Sequence, residues 1–507
     1  MANELLRFIV QTDFKIEMGK PKNEIIRKSM NVKSEHPVVR WIDYTVMAVL
    51  GVFCFLYIQT TGKAFAEKHI QFEWLNFPIF VGEFLLLGCG LLFVVRTLFA
   101  GLRVKKWHAA LVIYFCFVFV KAFWGYVHYG PLALRDAALF YYSVFGLIAY
   151  CCYRPGFFKR WVILVCYGAL VLMILGGHFN DWWLMPRFFI GLLLAYKFPD
   201  RRIGALMAAG IILFSPYRSF METSRAIILA NFISVAFLCL AIGGVIQGRK
   251  RVWYFAGSFA VVVLLAAYMF HYSGNRHAQG IFAFDKLKGF YAETYELIEQ
   301  RRAAFRREEI ASVQIYNPES FTQHPDDPPP AVPETTPEAI ASANAAAAAA
   351  ERSFCPPGMK IGNSIFRILI WKDAQKQLLE EKPLLGFSFG KPFRSENLEI
   401  IRWGFNDWAR DGWIAMHNSY LNIVYRSGLV GFVIVFVIWG GVAYLAAVFI
   451  RLRSIAGLLL CSCLLVPLIA AYFSVTMELP YAAIPIWTLY GLILAYAHRQ
   501  LEMHKRI

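Results

Sequence analysis

Residues 41–59 read WIDYTVMAVLGVFCFLYIQ, and residues 226–246 read AIILANFISVAFLCLAIGGVI. A bilayer core about 30 Å thick needs roughly 20 consecutive apolar residues per helix, and each window meets that length. The same pattern recurs along the chain. Of 507 residues, 58% are hydrophobic and 17% charged, more apolar surface than a water-soluble fold can hide. Backbone polar groups in lipid must be satisfied within the segment, so the spans are expected to be helices.

The windows place about twelve spans, at 41–59, 76–99, 107–125, 132–152, 161–176, 184–197, 203–215, 226–247, 252–270, 428–450, 456–475 and 479–497. The expected fold class is therefore an all-α polytopic membrane protein with one large loop between helices 9 and 10. The expected segments are 1–40 (cytoplasmic), 41–270 (spans 1–9), 271–416 (outer loop), 417–497 (a helix start and spans 10–12) and 498–507 (cytoplasmic tail). The polar first 40 residues do not have the form of a cleavable signal peptide.

The net charge of +17 raises the question of nucleic acid, and its distribution answers it. Loop 271–416 holds 17 Lys/Arg and 19 Asp/Glu and is nearly neutral. The remainder holds 34 Lys/Arg and 15 Asp/Glu. That excess falls on alternate connections: eight Lys/Arg in the first 40 residues, then Arg103/Lys105/Lys106, Arg154/Lys159/Arg160, Lys197/Arg201/Arg202, Arg249/Lys250/Arg251, Arg451/Arg453 and the tail. This is the positive-inside pattern, which puts both termini in the cytoplasm and the long loop outside. The implied location is a bacterial inner membrane, with membrane lipids rather than nucleic acid as neighbours.

Ten cysteines give no disulfide framework. Nine lie in or beside spans as small apolar residues, and only Cys355 is in the outer loop. Within that loop, 290–309 reads as an amphipathic helix. Residues 317–352, rich in Pro, Asp and Glu and then in Ala, read as a flexible arm. Asn363-Ser364 reads as a cap for a helix to about Glu381, with Ile365, Phe366, Leu369, Ile370, Ala374 and Leu378 on one face. Pro383 stops it, and Leu384 to Gly390 is a glycine-punctuated turn.

Two features carry chemistry. Arg135, Arg187, Arg218 and Arg225 come from different segments at similar depth near the outer boundary. A guanidinium stays charged and is costly against lipid, so four together suit a shared polar cavity that binds phosphate oxygens; snorkelling to headgroups is the competing account. His417 opens the segment after the outer loop, where an imidazole could serve as a general base. There is no P-loop, dinucleotide fingerprint or His/Cys cluster, which argues against ATP, nucleotide-sugar or metal chemistry.

The elements Arg367-Ile-Leu-Ile-Trp371-Lys-Asp-Ala, Pro383-Leu-Leu-Gly386-Phe-Ser-Phe-Gly390, His417-Asn418-Ser419-Tyr420-Leu421 and Gly428-Leu-Val-Gly431 resemble the signature of the O-antigen ligase and polymerase superfamily. Thr223-Ser224-Arg225 resembles its Ser-Arg element, with Ala226 where glycine is usual. The resemblance implies a GT-C-type helical fold with a periplasmic loop. It also implies transfer of a glycan from undecaprenyl diphosphate to an acceptor, with no cofactor or metal. It makes His417 the candidate base and Arg225 a diphosphate contact. Arg367 is then either a further contact or a packing position, Arg135, Arg187 and Arg218 remain the contacts of the shared-cavity reading, and Asn418 and Tyr420 stand in support. Ligation to lipid A–core, polymerisation onto the next lipid-linked repeat and transfer to a protein hydroxyl share these motifs, with ligation favoured. A transporter would also explain many helices, but would more usually show symmetric halves.

Overall fold

The computed structural model describes residues 36–58, 62–72, 77–100, 106–158, 284–315, 359–401 and 416–506, with single positions between 227 and 264. These fall into two compact units. The first holds residues up to 281, the short stretch Leu384–Lys391, and His417 onward. The second holds Phe282–Pro383 and Pro392–Met416.

In the first unit the described helices are α1 (Pro37–Tyr57), α2 (Gly62–Ala66), α3 (Val81–Ala100), α4 (Lys106–Tyr129), α5 (Leu132–Tyr141) and α6 (Val144–Cys151). After the second unit, whose helices take α7 to α9, come α10 (Ser419–Ser427), α11 (Leu429–Arg451), α12 (Ile455–Ala470) and α13 (Pro480–Arg506). Among the described residues, six stretches are long and apolar enough to cross a membrane: α1, α3, 110–129 of α4, α5 with α6, α11 and α13. Helix α12 is shorter, and ends at Ala470 rather than near 475. The expected spans 161–176, 184–197 and 203–215 lie outside the described residues, as does the arm 317–352.

One departure from an all-helical reading precedes α3. His69–Phe72 (β1) and Phe77–Phe80 (β2) pair antiparallel, with Ile70 opposite Ile79. The expected span from 76 therefore begins as a strand, and its helix starts at Val81. Hydropathy sums the apolar run Phe-Pro-Ile-Phe with the helix behind it and cannot separate the two.

Lipid tails are as apolar as leucine, so helices in a bilayer associate through close packing and polar contacts. Both are visible. Helix α13 lies against α6, where a Cβ on Gly491 would collide with the backbone carbonyl of Gly146. Leu87, Leu98, Phe119 and Phe436 stay exposed, as a hydrocarbon-facing surface requires.

The polar contacts cluster at the helix ends. Asp43, in the second turn of α1, is 1% exposed. It accepts from Arg96 Nε at 2.5 Å, near the end of α3, and from Arg154 at 2.5 and 2.9 Å, just beyond α6. Arg96 also donates to the Cys151 carbonyl at 2.8 Å. The start of α1 and the ends of α3 and α6 thus share one end of the bundle, as alternating spans demand.

In the second unit, α7 (Phe284–Ile315), α8 (Met359–Glu381) and α9 (Glu396–Ile400) pack together. Helix α8 begins at Met359, so Asn363 and Ser364 lie within its first turns and are not its cap. Of its predicted apolar face, Ile365, Leu369, Ile370, Ala374 and Leu378 are buried, while Phe366, next to Ile365 in sequence, is only partly buried. Asp373, on the same helix, is also buried, and accepts from Ser395 Oγ, the Asn397 amide at 3.0 Å and Asn397 Nδ2. Ser395 is in turn the N-cap of α9. Burial pushes the Asp373 carboxyl up, while these donors pull it back toward the ionised form.

Removing one partner from a buried charge cluster costs about 3 kcal/mol or more. Asp43→Ala should lower the unfolding free energy in detergent by that order, read as a fall in the thermal midpoint. Glu67→Gln, which breaks only the exposed 3.8 Å pair with Lys63, should change the unfolding free energy by less than about 0.5 kcal/mol and leave the midpoint nearly unmoved. Equal midpoints for the two variants would show that the buried cluster contributes nothing.

Candidate functional site

The end of the first unit opposite Asp43 is built around α10. Its sequence Ser419-Tyr-Leu-Asn422-Ile-Val-Tyr-Arg426-Ser carries a polar stripe at i, i+3 and i+7. Those three residues share one face of a helix. Asn418 is the N-cap, its side chain accepting from the Leu421 amide at 3.0 Å. Gly428 ends the helix with φ +59.

Arg426, at the C-terminal end of the stripe, is almost wholly buried. Its guanidinium meets Asp136 of α5 at 2.8 Å, with side chains only 4% and 9% exposed. The same guanidinium donates to the carbonyls of Ser388 (2.9 Å) and Lys391 (2.8 Å). Asp136 also accepts the amide of Gly390 at 2.8 Å. The Leu384–Lys391 turn is thereby threaded onto α5 and α10. Lys121 of α4 completes the grip, donating to the carbonyls of Leu385 (2.5 Å), Phe387 (3.1 Å) and Arg426. Phe387 stacks on Tyr425 with centroids 4.4 Å apart.

The turn and the helix end approach so closely that two glycines are obligatory. A Cβ on Gly386 (φ +64) would lie 2.5 Å from the Tyr425 carbonyl oxygen. One on Gly428 would collide with Leu384. Both positions also use the left-handed backbone that L side chains rarely adopt. The Pro-Leu-Leu-Gly-Phe-Ser-Phe-Gly and Gly-Leu-Val-Gly elements are therefore two halves of one clasp.

At the other end of α10, Ser419 Oγ donates to Glu478 Oε2 at 2.5 Å and accepts the amides of Thr476 (3.0 Å) and Met477 (3.1 Å). Asn422 Nδ2 donates to the other carboxylate oxygen at 3.1 Å. Burial raises the Glu478 carboxyl above its usual range, the Ser419 and Asn422 bonds oppose that, and the nearby Asp136 charge adds to it.

Of the residues singled out from sequence, His417 is partly exposed, directly before the Asn418 cap, with φ +49. Histidine is among the few residue types enriched in this left-handed region. Trp371 Nε1, in the second unit, donates to the carbonyl of Met416, one residue earlier, at 2.7 Å. Tyr420 points inward: its hydroxyl donates to the Leu468 carbonyl at 2.9 Å and its ring lies 4.3 Å from Tyr472. It packs the helix against the core. Arg135 is exposed on the first turn of α5, one residue before Asp136. Arg367 is half-buried on α8, and burial alone draws its guanidinium below the ordinary arginine range. Arg187, Arg218 and Arg225 lie outside the described residues.

Sequence reasoning missed Lys121, Asp136 and Glu478, and gave Arg426 no role. The available signal was the stripe itself: three polar residues at helical spacing in an otherwise apolar helix call for polar partners from other segments.

Arg426→Ala and Asp136→Ala should each destabilise the protein in detergent by about 3 kcal/mol or more. The double variant should fall short of the sum by about 1 kcal/mol or more, since the two charges interact directly. Strict additivity in thermal unfolding would mean that the pair is not coupled.

The comparisons with known proteins bear on this same segment. A family model described as O-antigen ligase matches residues 208–436, which include the clasp, His417 and all of α10. No curated protein matches the chain. Over residues 208–436, somewhat less than half of its length, the chain is similar to the O-antigen ligase family.

Proposed function

We propose that this protein is a membrane glycosyltransferase that moves a glycan from undecaprenyl diphosphate to an acceptor hydroxyl at the periplasmic face of the inner membrane, most simply as an O-antigen ligase acting on lipid A–core. The observation that carries the proposal is the family match across 208–436, which spans the His417 element.

The chemistry asks little of the protein beyond charge and position. The donor's anomeric carbon already bears a good leaving group. His417 takes the proton of the acceptor hydroxyl as its oxygen attacks that carbon. The bond from the anomeric carbon to the phosphate oxygen breaks, and the electron pair leaves with undecaprenyl diphosphate. Attack opposite the leaving group inverts the anomeric centre. Arginines stabilise the charge that develops on the diphosphate, a role that needs no metal. Arg225, Arg187, Arg218, Arg135 and Arg367 are the proposed contacts. Arg367 suits the task because, among the described residues, no carboxylate neutralises its desolvated guanidinium. Asn418, as helix cap, supports the base from the adjacent position.

Polymerisation with the same donor class is the second reading, since the family covers both outcomes. Polysaccharide from a deletion strain complemented with wild type or His417→Ala tests these readings. A ligase defect leaves long chains on undecaprenyl diphosphate and bare lipid A–core. A polymerase defect leaves lipid A–core capped with one repeat. In either case His417→Ala should match the deletion while reaching the membrane at normal levels. A wild-type profile from the deletion strain would overturn the proposal.

A further inference from the structure

We propose that Glu478 is a positioning residue for this transfer, holding His417 in place through Ser419 and Asn422; the proposal rests on the function argued above. Glu478 lies in the turn between α12 and α13, about 60 residues beyond His417 in the sequence. Its two carboxylate oxygens take one bond each from the first turn of α10: Ser419 Oγ at 2.5 Å and Asn422 Nδ2 at 3.1 Å. Ser419 is then tied a second way, because its Oγ receives the Thr476 and Met477 amides and its own amide donates to the Ala471 carbonyl at 2.8 Å. The α12–α13 turn and the α10 N-terminus thus form one hydrogen-bonded block.

His417 sits two residues before Ser419, outside the helix and in a left-handed conformation. For a non-glycine residue that conformation costs on the order of 1 kcal/mol, so the surrounding structure must enforce it. The Asn418 cap fixes the helix start, and the Glu478 block fixes where that start lies relative to the bundle. A carboxylate is a costly choice for a mere tether, since burial and the Asp136 charge both disfavour its ionised form. It nevertheless gives two strong acceptors that hold Ser419 and Asn422 in one orientation, and a catalytic imidazole displaced by about 1 Å can lose on the order of 100-fold in rate.

The test uses full-length protein in detergent and Glu478→Ala, Glu478→Gln and His417→Ala variants. Undecaprenyl-diphosphate-linked glycan and lipid A–core purified from the deletion strain are the substrates. Glutamine can keep both contacts: its carbonyl accepts from Ser419 Oγ, whose two acceptor sites stay with the Thr476 and Met477 amides, and its amide donates to Asn422 Oδ1 once the Asn422 amide turns over. Glu478→Ala should lower kcat at least 30-fold with KM within twofold of wild type, and Glu478→Gln should recover kcat to within threefold. Wild-type kcat in Glu478→Ala overturns the proposal. So does a Glu478→Gln as poor as Glu478→Ala, which would mean that the charge itself acts on substrate. A second readout does not depend on turnover. The maleimide labelling rate at His417→Cys should change at least fivefold when Glu478→Ala is added and stay constant with Glu478→Gln; no change with either overturns positioning. A His417→Ala with full activity, beside altered labelling, would instead remove the proposed base and leave the positioning intact.

Discussion

The ion pair between Asp136 and Arg426 is the constraint on which the rest of this site depends. Two charges withdrawn from water gain little from each other unless every remaining donor and acceptor is also satisfied. Here the carboxylate takes Arg426 and the Gly390 amide, while the guanidinium takes the Ser388 and Lys391 carbonyls as well. Arg426 Nε is buried and has no hydrogen-bond partner among the described residues. The pair therefore recruits a loop to complete it. The Leu384–Lys391 turn brings the backbone groups that the charges need, and Lys121 binds three further carbonyls of the clasp that would otherwise face a dry environment.

This explains why a segment read as an ordinary turn in a large loop belongs with the membrane bundle. Irregular backbone is tolerated at such depth where protein satisfies it. The two glycines follow as a consequence, since any Cβ at Gly386 or Gly428 would push the turn off the helix end. The same helix then transmits the constraint. Arg426 anchors its last turn to α5, and Ser419 and Asn422 anchor its first turn to Glu478. Held at both ends of about three turns, α10 can offer His417 from a fixed place, which is the preorganisation that a positioned base requires.

Much of this architecture was legible in the sequence, and what was missed has a physical reason. The described spans follow hydropathy closely because lipid imposes a length and an apolar character on each helix. The apolar face of α8, Phe366 apart, and the turn at 384–390 follow from spacing and local backbone chemistry, whereas the cap at Asn418 was not read from the sequence. Asp136, Glu478 and Lys121 were not found because each is a single polar residue within or beside an apolar run, and each partner lies far along the chain. Local patterns do not report which distant segments meet. The β1–β2 hairpin was absorbed into a span for a similar reason, since a short apolar strand and a helix start look alike in hydropathy. Tyr420, near His417 in sequence, is turned by helical periodicity to the core, against Tyr472.

The two ends of the α5–α6 span show how differently one device is used. At one end Asp43 draws in Arg96 and Arg154, whose side chains stay 18% and 23% exposed, so water shares in solvating them. That arrangement ties three helices while leaving the cations near an aqueous boundary, where basic connections already collect. At the other end Asp136 binds an arginine that is only 4% exposed and is locked by backbone carbonyls. A buried, multiply bonded guanidinium has little freedom left to bind a substrate anion. Arg426 is thus committed to architecture.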